Sequence, residues 1–593
     1  MTVYHAPTRD MRFCIEELSD LEAIGRLPGF EAAESDVVQA VIEEAGRLAT
    51  EVLAPLNPEG DRNGARIEGD DVRETPGFAA AYRQFVDGGW NSMPFPTEHG
   101  GGGLPSIVAF PVAEIWQASN MAFSLCPMLS QAAVEALIAH GTAELQKTYL
   151  PKLVSGDWTG TMDLTEPQAG SDLAAVSCKA VPQGDHYLIT GQKIFITWGD
   201  HQMTDNIIHM VLARLPDAPA GVKGISLFLV PKFLVGADGT LGERNDMRPV
   251  SLEHKIGIHG SPTCVMSFGD NGGAVGYLVG EKHNGMSCMF TMMNLARLHV
   301  GIEGVGIAER AYQRAARYAK ERVQGGAAGE TGRVTIIHHP DVRRMLMTMK
   351  ALVEGMRALC VCAGSAMDFA LHSDDPKEKA RNRERLDLLV PAVKGWCTEE
   401  GQEVASLAIQ VHGGMGYVEE TGAAQHFRDA RIATIYEGTT GIQAQDLVGR
   451  KILRDEGRAM ANLVADIRNT VQKIAQIGEF DDIENSLRIG VDLLESSTDF
   501  LISHQRDDVH TAGAVSFDLL MLTGLVTAGW QMARAALVAR EKLDQGAEGS
   551  NFYQSKMVTA KFFAQHLLPR ARAYGAAITA GSAAMMALDE NQF

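Results

Sequence analysis

The chain has 593 residues, 45% hydrophobic and 21% charged, an ordinary composition for a folded globular protein with room for roughly four domains. Its 53 Lys and Arg against 74 Asp and Glu leave a net charge of −21, which argues against nucleic acid or an anionic membrane as the main partner. An anionic ligand must therefore be met by local Arg, Lys or backbone N–H groups.

The opening, Met1 to Asp10, lacks the basic and apolar stretches of a leader, which predicts a cytoplasmic protein. From Glu31 to about Lys152 the apolar residues follow a helical period, as in Val37, Val38, Val41, Ile42, Ala45 and Leu48. The run His99-Gly100-Gly101-Gly102-Gly103-Leu104-Pro105 interrupts it and reads as a plain loop. It lacks the strand, Lys-Ser/Thr and helix start of a phosphate loop. Between about Gly160 and Gly276, β-rich runs such as Tyr187–Thr190, Asn206–Val211 and Gly224–Val230 alternate with Gly, Pro and Asp, which predicts an antiparallel β-domain. Helical texture returns by Met286. Gly301, Gly304 and Gly306 lower helix propensity there, so they are expected to permit close helix–helix approach.

Beyond Arg450, Met460, Leu463, Val464, Ile467, Val471 and Ile474 form one apolar helical stripe, the start of an added helical domain. The apolar run Ala514–Trp530 is interrupted by Asp518, Gly524 and Gly529, too short and broken for a bilayer span, and predicts a buried helix. The expected organisation is α+β: helical over 1–159 with an extended N-terminal segment, β over 160–276, a helical bundle over 277–452 and added helices over 453–593.

The eight cysteines (Cys14, Cys126, Cys178, Cys264, Cys288, Cys360, Cys362, Cys397) contain no Cys-x-x-Cys, and Cys360 and Cys362 diverge on one predicted helix, so free thiols are expected. His338-His339-Pro340 has no third ligand at helical spacing; a surface role is expected, and no metal. Met286, Met289, Met292 and Met293 read as core filler.

Three segments carry chemistry. Met162 to Asp172, containing Thr165-Glu166-Pro167-Gln168-Ala169-Gly170-Ser171-Asp172, ends a strand in a turn whose hydroxyls and N–H groups can hold a flavin edge and a pyrophosphate. Gly191 to Gly199 offers Phe195 and Thr197 on the same β-domain. Ile435-Tyr436-Glu437-Gly438-Thr439-Thr440 sets one carboxylate between an aromatic residue and a Gly-Thr turn. Together, in this order, they resemble the acyl-CoA dehydrogenase family from about Glu31 to Arg450. Dehydrogenation of a thioester needs a base for the α-proton, a polarised carbonyl and an acceptor for the β-hydride. No side chain accepts hydride, so a redox cofactor, here FAD, is required.

The resemblance implies the family fold: an N-terminal α-helical domain, a middle antiparallel β-domain and a C-terminal four-helix bundle, here with an extra C-terminal α-helical domain. It implies Glu437 as the base, supported by Arg297. Some relatives place the base just before that arginine, where this chain has Ala296, incapable of the role. It implies that Leu164 and Thr165 contact the flavin pyrimidine side, that Gly170 and Ser171 lie at the pyrophosphate, and that Phe195, Ile196 and Thr197 line the flavin. Phe195 stands where many members have Trp. Arg322 and Thr439 would reach the pyrophosphate, Gln410 and Gly414 the adenosine portion, and Ser171 and Gly438 the substrate. The loop Gly325–Gly332 is longer than usual and lacks the aromatic residue that packs on adenine. An acyl-CoA substrate, electron-transfer flavoprotein as acceptor and a homodimer are implied.

The opening from Tyr4 to Phe13, the stretch His254–Cys264 and the added tail resemble a larger subgroup. That subgroup includes dehydrogenases of 3-methylmercaptopropionyl-CoA in dimethylsulfoniopropionate breakdown. Medium or long straight-chain acyl-CoA is the competing substrate. A rival reading, a flavin-bearing member associated with DNA through a basic C-terminal domain, meets a tail with no comparable basic run.

Overall fold

Alternating strand residues build most of the region that carries the first two motifs. The structure is a computed structural model that describes residues 4–236 and 238–593; Met1 to Val3, the start of the segment predicted to lack a leader, lie outside the described residues. The chain divides into a β-rich unit, residues 47–104 and 119–299, and a helical unit, residues 4–46, 105–118 and 300–593.

In the β-rich unit a hairpin, β1 (Arg66–Glu68) and β2 (Asp71–Arg73), breaks the region read as wholly helical. The main strands are β3 (Trp158–Asp163), β4 (Lys179–Gln183), β5 (His186–Thr197), β6 (Asn206–Arg214) and β7 (Ile225–Pro231). A small pair, β8 (Phe233–Val235) and β9 (Leu241–Arg244), precedes β10 (Met247–Leu252), β11 (Thr263–Phe268) and β12 (Ala274–Val279). The eight-stranded sheet runs β10-β11-β5-β12-β7-β6-β3, with β4 against β5 and β6. Most pairs are antiparallel as expected, but β3 lies parallel to β6, because the segment between them crosses over instead of turning tightly. Val72, Ile189, Val211, Phe228, Val230 and Phe268 form its core.

The glycine turn is a loop, and its own backbone consumes its donors. The N–H groups of Gly101, Gly102 and Gly103 donate to the carbonyls of Pro96, Ser92 and Phe95, and a Cβ on Gly102 would meet Met93 O at 2.8 Å. Close backbone approach, not a phosphate, accounts for these glycines.

Two helices, α1 (Ser106–His140) and α2 (Gly285–Glu321), contribute residues to both units. In the helical unit α3 (Pro340–His372) packs along α4 (Pro376–His412), and the short α5 (Thr440–Asp446) follows the third motif. Then come α6 (Arg458–Ala475), α7 (Asp481–His504), α8 (Thr511–Asp544), α9 (Ser550–Phe562) and α10 (Ala571–Ala580). The predicted stripe of α6 is buried at all six positions. The α2 glycines act as expected: a Cβ on Gly401 of α4 would stand 2.7 Å from Gly304 O, so two backbones meet with no side chain between them.

The run Ala514–Trp530 lies within α8, a 34-residue helix longer than the sequence suggested. α1 and α8 are both long and apolar enough to cross a membrane, yet 83% and 72% of their most apolar windows are buried in the protein. Helix α8 packs against α3, α4, α5, α6, α7, α9 and α10. Its Gly524 receives the fully buried Trp396 of α4, and Gly395 of α4 receives Leu520.

Candidate functional site

The turn after β3 is tied down by one buried carboxylate. Glu166 accepts from Lys193 Nζ at 2.8 Å, from the Ser177 N–H and hydroxyl at 2.7 Å each, from the Cys178 N–H at 3.1 Å and from Gln168 Nε2 at 2.6 Å. Lys193 Nζ also donates to Leu164 O at 2.9 Å, and the Ile194 N–H to Thr165 O at 2.9 Å. Burial alone would raise the Glu166 pKa, but the Lys193 ammonium and the Ser177 hydrogen bonds hold it at about 2. Neither residue was expected to hold this turn. The available signal was a lysine inside a strand, a position that needs a buried counter-ion.

That pair makes an acid-stability prediction. A carboxyl whose folded pKa lies below its unfolded value stabilises fully above about 4.5 and loses the contribution as pH falls toward 2. The shift corresponds to about 3 kcal/mol. Urea unfolding at stepped pH should show Glu166→Gln declining less than the parent across that window; equal declines would refute the assignment.

The groups this turn exposes suit a flavin nucleotide. The N–H groups of Gly170 and Ser171 and the hydroxyls of Thr165, Ser171 and Thr197 make no hydrogen bond among the described residues. A Cβ on Gly170 would meet nothing within 4 Å, so its backbone is open to a ligand. On β5 the register against β11 shifts between Cys264 and Met266, opposite Ile196 and Lys193, and this bulge turns the Phe195 ring out. Phe195 is 58% exposed with φ 60°, a left-handed conformation rare for an aromatic residue. Trp198, also at positive φ, points the other way: it is buried against Phe78 and donates from Nε1 to Ala122 O at 3.0 Å. The aromatic face left exposed on this strand is Phe195, the residue that the resemblance sets against the flavin. Ile196 is buried in the sheet core.

Arg297, on the β-unit part of α2, is buried, with Nη1 3.5 Å from Asn294 Oδ1 and the guanidinium 5.9 Å from the Phe290 ring. Met289, Met292 and Met293 on the same helix are core, and Met286 is partly buried.

In the helical unit Glu437 sits at φ 55°, followed by Gly438 at φ 87°. Such backbone strain in a non-glycine residue persists only where neighbours enforce it. Here Gln443 Nε2 donates to Glu437 O at 3.0 Å, and the buried Lys394 Nζ to Gly438 O at 2.7 Å. Thr439 caps α5 by accepting from the Ile442 N–H at 3.2 Å, and the Thr440 hydroxyl donates to Glu399 at 2.6 Å. Tyr436 donates its hydroxyl to Glu303 of α2. Burial, reinforced by the charge of Glu437, pushes the Glu303 carboxyl up to about 8 against the pull of Tyr436 and Lys394. Burial therefore favours the protonated form of Glu303. Lys394 and Glu303 were not anticipated; each lies within a long apolar helical run where only the fold reveals its neighbour.

Arg322 directly follows α2 and is exposed, as are Gln410 at the end of α4 and Gly414 beyond it. The loop after Arg322 is closed at its base by a bridge between Val323 and Thr335 and by hydrogen bonds from the Gln324 N–H to Val334 O and from the Ile336 N–H to Arg322 O. His338 lies beside Glu330 at 3.3 Å and His339 bonds Gln324 O at 2.8 Å. Among the described residues no group of three or more His, Cys, Asp or Glu could hold a metal. All eight cysteines are free thiols.

A strained carboxylate turn in the helical unit and, in the β-rich unit, a sheet with uncommitted hydroxyls and an outward aromatic ring suit a flavin-dependent dehydrogenase. The chain belongs to the acyl-CoA dehydrogenase family: it matches the models for the acyl-CoA dehydrogenase N-terminal domain over residues 35–157, the middle domain over 161–271 and the C-terminal domain over 283–453. Residues 463–589 match the acetyl-CoA dehydrogenase C-terminal-like domain. It is 48% identical over 582 residues to the 3-methylmercaptopropionyl-CoA dehydrogenase of Ruegeria pomeroyi, covering 97% of this chain and 98% of that one. It is 35% identical to the broad-specificity linear acyl-CoA dehydrogenase FadE5 of Mycobacterium tuberculosis, covering all of both chains. The crystal structure of Caenorhabditis elegans ACDH-11 in complex with C11-CoA shares the fold, with TM-score 0.77 and 20% identity over 95% of this chain and 91% of that one. The protein is an FAD-dependent oxidoreductase acting on acyl-CoA thioesters.

Proposed function

We propose that the chain oxidises 3-methylmercaptopropionyl-CoA to 3-methylthioacryloyl-CoA, with Glu437 as the base that removes the α-proton. The observation that carries the substrate is the 48% identity to the Ruegeria pomeroyi enzyme along nearly the whole of both chains. Bound FAD supplies an acceptor for the β-hydride. Every other task falls to side chains. Glu437 is held in its strained turn by Gln443 and Lys394. Glu303, its carboxyl pushed up by burial, accepts the Tyr436 hydroxyl on the neighbouring helix. Exclusion of water by the bound thioester raises the basicity of Glu437, and Arg297 supports it.

In this reading Leu164, Thr165, Phe195, Ile196 and Thr197 seat the flavin ring, while Gly170, Ser171, Arg322 and Thr439 hold the pyrophosphate. Gln410 and Gly414 meet the adenosine portion, and Ser171 and Gly438 contact the thioester. The uncommitted hydroxyls and exposed Phe195 ring support it. The proposal extends to a cytoplasmic homodimer that passes electrons to electron-transfer flavoprotein, with domains over 1–159, 160–276, 277–452 and 453–593.

Anaerobic flavin reduction against a panel of acyl-CoAs tests the substrate. The methylthio-propionyl thioester should bleach the flavin fastest. Slow bleaching by it and rapid bleaching by straight chains would assign the enzyme to straight-chain oxidation, the specificity named for the FadE5 relative.

A further inference from the structure

A cleft of about 670 Å³ opens in the helical unit, away from the Glu437 turn. It is lined by the Leu18–Asp20 turn, α3, the start of α4, α6 and α8. Its size falls within the range of small-molecule sites, ~300–1,000 Å³. In a chain of net charge −21 the cleft gathers Lys377, Arg381, Arg385, Lys473 and Arg534.

Its carboxylates are already engaged. Asp466 takes Arg381 at 2.6 Å and also Arg385. Asp20 accepts from the Ala23 N–H at 3.1 Å, Asp375 from the Lys377 N–H at 2.9 Å, and Glu378 from the Ser373 hydroxyl at 2.6 Å. Arg534 is different. It is partly buried and donates only to neutral oxygens, Gln531 Oε1 at 2.7 Å and Leu18 O at 2.5 Å, with no carboxylate within 4 Å among the described residues. Its guanidinium lies 5.6 Å from the Trp530 ring and that of Arg385 5.9 Å from the same ring, so two like charges flank one indole. Burial pulls the Arg534 pKa below its ordinary range, with the charge of Arg385 adding to it and that of Asp466 only partly offsetting it. Lys377 and Lys473 stand at the exposed rim, also without a carboxylate within 4 Å among the described residues. A guanidinium withdrawn from water with no carboxylate in contact is costly unless an anion completes its shell.

We propose that this cleft binds a small organic anion through a phosphate or carboxylate group held between Arg534 and the ammonium groups of Lys377 and Lys473. The three groups come from α4, α6 and α8, so a bound anion would tie these helices to one another.

Calorimetry on the FAD-loaded enzyme with inorganic phosphate, pyrophosphate and succinate, at matched ionic strength, tests the proposal and separates phosphate from carboxylate chemistry. At least one probe should bind saturably and raise the melting temperature. Arg534→Met and the double variant Lys377→Gln/Lys473→Gln should each weaken binding at least about tenfold, while acyl-CoA-driven flavin reduction is unchanged. The exposed lysine pair keeps the test decisive should Arg534→Met fold poorly. Absence of saturable binding for all three probes, or binding unchanged in the lysine variant, would overturn it.

Discussion

Glu437→Gln should retain the yellow flavin and bind acyl-CoA, yet bleach the flavin about 10⁴-fold more slowly on anaerobic mixing with substrate. Glutamine matches glutamate in shape, and two contacts that hold this turn reach backbone carbonyls, Gln443 to Glu437 O and Lys394 to Gly438 O, and survive the substitution. Glu303 cannot substitute, because it is buried and already accepts the Tyr436 hydroxyl. Ala296 offers no base on the alternative helix. Normal turnover by the variant would sink the assignment.

Arg357→Met is expected to give the largest loss of stability, about 3–5 kcal/mol. The Arg357 guanidinium is buried on α3 and serves three carboxylates: Glu114 at 2.9 Å, Glu309 at 2.7 Å, and Asp10. Removing it strands the buried Glu114 and Glu309. Of the three acids Lys556 of α9 reaches only Asp10, and it also pairs with Glu354. Denaturant unfolding measures the loss, and adding Glu114→Gln and Glu309→Gln to the variant should recover a large part of it. Without such recovery, the cause would be packing and not uncompensated charge.

The sequence was most legible where chemistry demands a local pattern. The α6 stripe and the α2 glycines follow from the period and type of neighbouring residues, whereas Glu437 and the hydroxyls of Thr165, Ser171 and Thr197 were singled out by resemblance of their motifs. Long-range pairings were not legible. Lys193 finds Glu166 across a turn, Lys394 finds Gly438 and Glu303 finds Tyr436 only once the fold is formed. The hairpin Arg66–Arg73 was missed because strands of three residues are too short to show alternation. The parallel β3–β6 pair was missed because alternation reveals a strand but not the direction of its partner.

The seating of Trp396 on Gly524 bears on how such a chain could have arisen. A module acquired by fusion meets its host across a surface that either piece can present to water alone. Here the contact is an indole fitted to a missing side chain, on the very helix that supplies Lys394 to the Glu437 turn. Removing α8 would thus uncover an apolar face on α4 instead of leaving a finished surface.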